Sequence, residues 1–433
     1  METLKRHATD VHVFYGWWIV ASGVVLAALQ STFYVYGFGV FYMPLLKELN
    51  TNRAALGGVI GLSRIQGGLL APAAGWLIDR YGPRRLLAFG ILAMGACFFA
   101  FSRITTLWML YAVFFALAAA ASIGGGQPIT VAVANWFIRR RGLAMGILMS
   151  GFGLGGTFLW ALAWLIETFG WRTTAVIGGL LFWIIGLPLA KLIHHRPEQR
   201  GLLPDGAQPY TKGVATQTNS PHEATPLDQG PLEPELTPRE ALRTRSFWML
   251  AIAYGVWATV VAVSSVYQIP FLNEELNIPL VTAAFVVSCY SLVSIPGRIV
   301  FGWLGDVTDI RNLLVGVFFL QALGLLALSL MPNLSWTPLY ILILAPAYGG
   351  SIPLRMSIVG YFYGRRNYGT INGLLQFVDL PGTVGGPIFV GWVFDSFGSY
   401  RPGFQVIALL MAIGAFTLIL ARRPQTPVFE RNN

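Results

Sequence analysis

The sequence predicts an all-α integral membrane protein, with twelve transmembrane helices in two pseudo-symmetric six-helix bundles. Three observations carry this expectation. Of 433 residues 55% are hydrophobic and 11% charged, at a mean hydropathy of +0.61, a balance that fits a polytopic membrane chain. The apolar residues recur as long runs between short charged loops. A charge-bearing motif near residue 75 returns in the second half.

A spanning helix needs about 20 apolar residues. Six such runs occupy approximately 16–43, 54–78, 86–102, 106–134, 143–167 and 172–193, and six more occupy 246–272, 280–304, 313–331, 337–361, 369–393 and 402–421. The first follows Lys5 and Arg6 and is too long for the apolar region of a cleaved signal, so the N-terminus is expected in the cytoplasm. Alternating sides from there puts 21 of the 29 Lys and Arg in cytoplasmic segments and 5 outside, with 3 inside spans. That bias fits the positive-inside rule with both termini cytoplasmic, as in a multi-pass protein of a bacterial inner membrane.

Between the two sets of spans the apolar pattern stops. Residues 194–245 are rich in Pro, Thr, Glu and Gln and read as a cytoplasmic linker. It divides an N-terminal bundle (1–193) from a C-terminal one (246–433), with Arg239 to Arg245 as a short basic helix on the membrane surface. The formal charge of +10 reads as topology and attraction to anionic lipid headgroups rather than as a nucleic-acid surface. Cys97 and Cys289 both fall within spans, which argues against a structural disulfide or a cysteine metal site. All five histidines lie in the N-terminal tail or the linker. No motif pairs a nucleophile with a base or assembles metal ligands, so neither an enzyme nor a cofactor is expected.

The repeat is explicit. Gly75-Trp76-Leu77-Ile78-Asp79, with Arg84 and Leu86-Leu87, returns at one fixed offset as Gly302-Trp303-Leu304-Gly305-Asp306, with Arg311 and Leu313-Leu314. A second echo sets Trp136-Phe137 and Arg139 to Arg141 against Tyr361-Phe362 and Arg365-Arg366. Internal duplication follows, and two facing bundles leave a seam at mid-membrane where transporters hold substrate.

The loop Gly75, Asp79, Arg80, Gly82, Arg84 and Arg85 resembles the G-x-x-x-D-R-x-G-x-R-R motif of the major facilitator superfamily, over a chain of matching layout. In this reading Asp79, Arg80, Arg84 and Arg85, with Asp306 and Arg311, gate one access state through charge pairs and helix-terminus contacts. A narrower resemblance is to the monocarboxylate transporter and oxalate:formate antiporter branches. It rests on Trp136 to Gly146, Ser150-Gly151 and Gly155 entering the fifth span, on Gly16-Trp17-Trp18, and on Arg298 with Gly302 four residues on. The resemblance implies that Arg298 binds the carboxylate of the substrate. The chain departs from those branches at Tyr15 in place of an acid, Ser294 in place of an aspartate, and Tyr36 in place of the lysine linked to proton coupling.

Three arginines, Arg64, Arg298 and Arg355, and one acid, Asp379, stand inside the apolar spans. Burying one such charge costs roughly 2.5–3.5 kcal/mol on insertion scales, so each needs a partner or a guest. A guanidinium offers a planar fork for a carboxylate. Arg298 is thus read as a carboxylate clamp, against a permanent pair with Asp379 or a helix carbonyl. Arg355 is read as a substrate contact or as snorkelling to the inner interface. Asp379, two residues before Pro381, is read as a proton carrier or a static counter-ion, and Arg64 as a contact to substrate or to Asp379, or as half of a fixed pair. Among polar groups at interior depth (Tyr34, Tyr36, Tyr254, Tyr348, Gln30, Gln127), Tyr348 and Gln127 stand out, each beside helix breakers: Gly349-Gly350, and Gly124 to Gly126 with Pro128. The glycines of 151–156 read as packing residues, not as a nucleotide loop.

These readings converge on a monomeric secondary transporter of small organic anions, lactate- or pyruvate-like monocarboxylates foremost, driven by a proton or exchanged for a counter-anion. The rival readings are a proton-linked drug or siderophore exporter and a membrane anion sensor that does not transport.

Overall fold

The computed structural model describes residues 14–49, 51, 53–206 and 235–424, and of Arg64 it describes the backbone but not the side chain. The middle of the linker, 207–234, lies outside the described residues. In the first half, α1 (Tyr15–Gln30) runs through a π-helical turn (Ser31–Val35) into α2 (Gly37–Glu48). It is followed by α3 (Arg53–Tyr81), α4 (Pro83–Phe101), α5 (Leu107–Gly124) and α6 (Gly126–Trp136). Then come α7 (Arg141–Thr157), α8 (Leu159–Leu181) and α9 (Leu187–Leu192). After the short α10 (Pro238–Arg243), the second half holds α11 (Arg245–Pro270), α12 (Leu280–Val307), α13 (Ile310–Ser329) and α14 (Thr337–Tyr363). It ends with α15 (Tyr368–Val378), α16 (Leu380–Phe397) and α17 (Arg401–Leu420).

Among the described residues ten helical stretches are long and apolar enough to cross a membrane. The two remaining spans of the twelve are α3, whose 29 residues extend about 44 Å at 1.5 Å per residue, and α7 with the first part of α8. Both are glycine-rich, which lowers their hydropathy. The chain turns between the fifth and sixth spans inside α8 at Gly170, where φ is +76°, a left-handed backbone that favours glycine. Helix starts are capped by side chains: Thr106 accepts from the Met109 N–H, Thr244 from Phe247 and Asp309 from Asn312. Such caps satisfy donors the helix itself leaves free. Where one helix is expected at 239–245, α10 ends at Arg243, opened by a capping box of Thr237 and Glu240, and Arg245 begins the spanning α11.

The duplication extends to contacts the sequence motif did not reveal. At the end of the bundle away from the linker, Arg172 pairs with Glu48 at 2.6 Å and donates to the carbonyls of Ser102 and Ile104. In the second half Arg401 pairs with Glu275 at 2.8 Å and donates to the carbonyls of Ser329 and Met331. Each arginine thereby ties three chain segments of its own half. The Arg172 hydrogen bond holds the Glu48 carboxyl below its ordinary range.

The linker end is tied differently, across the halves. The Asp79 carboxylate accepts from the N–H groups of Gly369 and Thr370 at 3.0 and 2.7 Å, and from the Thr370 hydroxyl at 2.7 Å. The Asp306 carboxylate accepts from Gly142 and Leu143 at 2.5 and 2.8 Å. Each aspartate caps the free N–H groups in the first turn of a helix belonging to the other half, α15 and α7. The glycine four residues before each aspartate makes the approach feasible. A Cβ on Gly75 would lie 2.1 Å from the Gly369 carbonyl oxygen, and one on Gly302 2.4 Å from that of Gly142.

The described linker residues pack on this end. Trp136 donates to the His194 carbonyl and Asn135 to that of His195, while Asp205 accepts from the N–H groups of Ile138 and Arg139. Glu198 pairs with Arg365 at 3.0 Å, and Arg365 also donates to the Asn135 carbonyl, so this strap bridges the halves. Burial pushes the His195 imidazole pKa down to about 4, leaving it neutral at physiological pH.

A bulkier residue at the seam is expected to pry the linker end apart. In Gly142→Val the added side chain meets the Gly302 carbonyl, 2.1 Å from a Cβ there, and overpacking of this kind costs about 1–3 kcal/mol. In a background with both native cysteines replaced, maleimide labelling of Thr370→Cys should then rise about tenfold. An unchanged labelling rate would mean that this seam does not control access.

Candidate functional site

Arg298 sits on α12 where that helix crosses α7 of the other half. A Cβ on Gly146 would lie 2.3 Å from the Arg298 carbonyl oxygen, and one on Gly153 3.2 Å from Nη1. The glycines of the fifth span therefore set how closely the arginine approaches the first half. Its residue is 5% exposed, Nη1 donates to the Met149 carbonyl at 2.6 Å, and Nε is buried without a hydrogen-bond partner. Among the described residues no carboxylate pairs with it. A carbonyl satisfies one donor but leaves the net positive charge in place.

Tyr348 stands beside Arg298 because Gly349 lets α14 press on α12, where a Cβ would meet the Ser294 carbonyl oxygen at 2.0 Å. Gly349-Gly350, expected as helix breakers, do not break the helix. α14 runs unbroken through them, and the missing side chains serve close packing. Tyr348 also faces Tyr290 of α12, ring centroids 5.7 Å apart, and Arg298 lies within electrostatic reach of both. Tyr290 went unnoticed in the sequence, where an aromatic two turns from an arginine carries no distinguishing signal. Tyr36 is 43% exposed and lies near Gly156 and within electrostatic reach of Tyr348.

Arg355 belongs to a separate cluster within the second half. Its guanidinium is bound to Asp379 at 3.0 Å and sandwiched between Tyr254 and Trp257, 3.9 and 3.7 Å from the ring centroids. Both rings are locked onto α14: the Tyr254 hydroxyl donates to the Arg355 carbonyl, and the Trp257 indole N–H to the Ser351 hydroxyl at 2.7 Å. Aromatic faces attract a guanidinium most strongly when water is excluded. Asp379 occupies the break between α15 and α16, ahead of Pro381. One of its oxygens is buried without a partner, as is Arg355 Nε. Of the two permanent partners weighed against the clamp for Arg298, Asp379 is taken by Arg355 instead, whereas a helix carbonyl, that of Met149 in the opposite half, is what its Nη1 meets.

Between the halves a cavity of about 230 Å³ is lined by Ala71, Gln127, Thr130, Phe152, Met356 and Gln376, among others, and by Met149, whose carbonyl Arg298 holds. Gln127 donates weakly, at 3.4 Å, to the carbonyls of Ala71 and Gly369. Its position follows from a real break in the fourth span at Gly125, between α5 and α6.

Of the residues read as gates, Asp79 and Asp306 lie on the seams between the halves. Arg80 stacks on Trp76 and Tyr81, Arg84 and Arg85 are exposed, and Arg311 reaches the Ala421 carbonyl at 3.4 Å. The side chain of Arg64 lies outside the described residues.

Comparison with known proteins follows the same lines. The family model described as Major Facilitator Superfamily matches residues 20–379. An MFS-type transporter of Escherichia coli K12, YhjX, is 27% identical over 373 residues, covering 82% of this chain and 83% of that protein. Monocarboxylate transporter 13 of Rattus norvegicus is 25% identical over 427 residues, covering 94% and 88%. Among solved structures, the human organic anion transporter MFSD10 superposes with a TM-score of 0.66 at 16% identity, covering 92% of this chain and 98% of that one.

The Arg355–Asp379 pair yields a stability prediction. Removing one partner of a buried pair typically costs about 3–5 kcal/mol, whereas replacing both with apolar residues is often neutral. Asp379→Ala should lower the melting temperature of the detergent-solubilised protein markedly, and Arg355→Met with Asp379→Leu should restore most of it. A double variant less stable than Asp379→Ala alone would show that the aromatic sandwich, not the acid, holds the guanidinium.

Proposed function

Since the chain belongs to the major facilitator superfamily, we propose that it is a secondary transporter of small organic anions, monocarboxylates of the lactate or pyruvate kind foremost. It works as a monomer in the cell membrane, with the linker end in the cytoplasm, and rocks its two halves about the cavity beside Arg298. The observation that carries the reading is the unequal pairing of the two buried arginines. Arg355 is bound to Asp379, whereas among the described residues Arg298 has no acidic partner and donates to a neutral carbonyl. A carboxylate guest supplies the missing anion through two parallel charge-assisted hydrogen bonds. The name of the rat relative, a monocarboxylate transporter, supports the same substrate class.

Arg298 also touches the first half through Met149. A guest that competes for its donors loosens a contact between the halves, which links binding to rocking. In this reading Tyr348, Tyr36 and Gln127 contact the rest of the guest; of these Gln127 lines the cavity. On the same reading Asp79 and Asp306 hold the cytoplasmic end shut through their contacts across the halves.

Asp379 is the candidate proton carrier. Protonation discharges the acid while Tyr254 and Trp257 still hold Arg355, so the cluster changes charge without coming apart. Exchange for a counter-anion is the second reading, favoured by the ion pair in which Asp379 is already held.

Counterflow in liposomes with a panel of labelled mono- and dicarboxylates tests the proposal. Arg298→Ala should abolish uptake, a loss of at least about 100-fold if two charge-assisted hydrogen bonds are removed, while the protein still inserts. Undiminished uptake by that variant points instead to a drug or siderophore exporter, and anion binding without exchange by the unaltered protein points to a sensor. Asp379→Asn should spare exchange and weaken accumulation driven by a pH gradient. Full gradient-driven accumulation would remove Asp379 from the proton role and leave counter-anion exchange.

A further inference from the structure

At the linker end of the second half a cavity of about 640 Å³ opens between the start of α11 and the end of α17, lined by Thr244, Arg245, Ser246, Ile419, Leu420 and Arg422. Arg245 is the first residue of its spanning helix, and Arg422 stands two residues beyond the last residue of another. Both therefore sit at the level where a membrane gives way to water. Both are exposed, and among the described residues neither has an acidic partner.

Neighbouring cations add to the field. Arg243 is exposed at the end of α10, Arg311 reaches the Ala421 carbonyl, and Arg423 stacks on the Tyr361 ring at 4.6 Å. Ile419 and Leu420, exposed at 46% and 54%, carry the lining from the arginines toward the apolar flank of α17. The cavity thus has a cationic mouth at the depth of lipid headgroups and an aliphatic wall running toward the acyl chains.

We propose that this cavity binds the phosphate headgroup of one anionic phospholipid, held by Arg245 and Arg422 with its chains along Ile419 and Leu420. A guanidinium pair suits a phosphate bearing net charge better than a zwitterionic headgroup, whose own cation opposes it. The site docks a lipid between the first and last spans of the second half, on the outer flank of the bundle. It is independent of which solute is carried.

Native mass spectrometry of the full-length protein, offered equal phosphatidylglycerol and phosphatidylcholine, tests it. One phosphatidylglycerol should be retained in preference to phosphatidylcholine. Arg245→Gln or Arg422→Gln should each weaken retention about fivefold and the pair about thirtyfold, from the usual contribution of an interfacial arginine. Arg239→Gln, a basic position outside the cavity, should leave retention unchanged. Lysine at both positions, which keeps the charge, should restore most of it, separating loss of the site from loss of the fold. Equal retention of both lipids, or retention indifferent to the double glutamine variant, overturns the proposal. Displacement by millimolar inorganic phosphate also overturns it, by assigning the cavity to free phosphate.

Discussion

The arrangement of this molecule depends on two carboxylates that cap helices they do not belong to. Asp79 and Asp306 each satisfy the first-turn N–H groups of a helix in the opposite half. In a low-dielectric setting an unsatisfied N–H costs far more than in water, so the capped state has a well-defined geometry and a definite reason to persist. The capping requires near-contact of backbones, which Gly75 and Gly302 permit. A motif that reads as charge punctuation is therefore a steric and hydrogen-bonding device: glycine sets the distance, aspartate supplies the anion, and the other half supplies the donors.

The opposite end obeys another rule. There Arg172 and Arg401 bind a glutamate and two carbonyls apiece, all within their own half. These staples make each half rigid at that end without joining the halves. The two kinds of contact differ in what they join: staples tie segments inside each half, and caps tie one half to the other at the linker end. Charged side chains near helix ends thus have two roles that composition alone does not separate.

That division also explains what the sequence disclosed. The repeat of Gly75 to Asp79 at Gly302 to Asp306 was legible because both members of the pattern are side chains. The caps' other halves were not, because the donors are main-chain N–H groups at Gly142, Leu143, Gly369 and Thr370, which leave no residue signature. Four intramembrane charges were legible as anomalies, but their pairing was not. Arg355 was assigned no partner from sequence, and its sandwich depends on Tyr254 and Trp257 reaching from α11 across to α14. Gly349-Gly350 misled for a related reason: a glycine pair that breaks one helix and one that lets two helices touch look alike, and packing alone separates them.

The contrast between Arg298 and Arg355 is where these constraints meet function. Both guanidiniums are buried in the same half, yet among the described residues one has a carboxylate and two aromatic faces while the other has one carbonyl and an idle Nε. A protein that needed only to stabilise two cations would treat them alike. Leaving Arg298 short of an anion costs stability, since a buried charge without a counter-charge is among the most unfavourable groups a fold can hold. Under the proposed function an anion at the site offsets that cost, so the energy of the empty and occupied states would differ most at the residue that also joins the halves. Differential interaction of this kind is what a ligand requires in order to shift a conformational equilibrium, and among the described side chains Arg298 combines the unpaired charge with the contact across the seam.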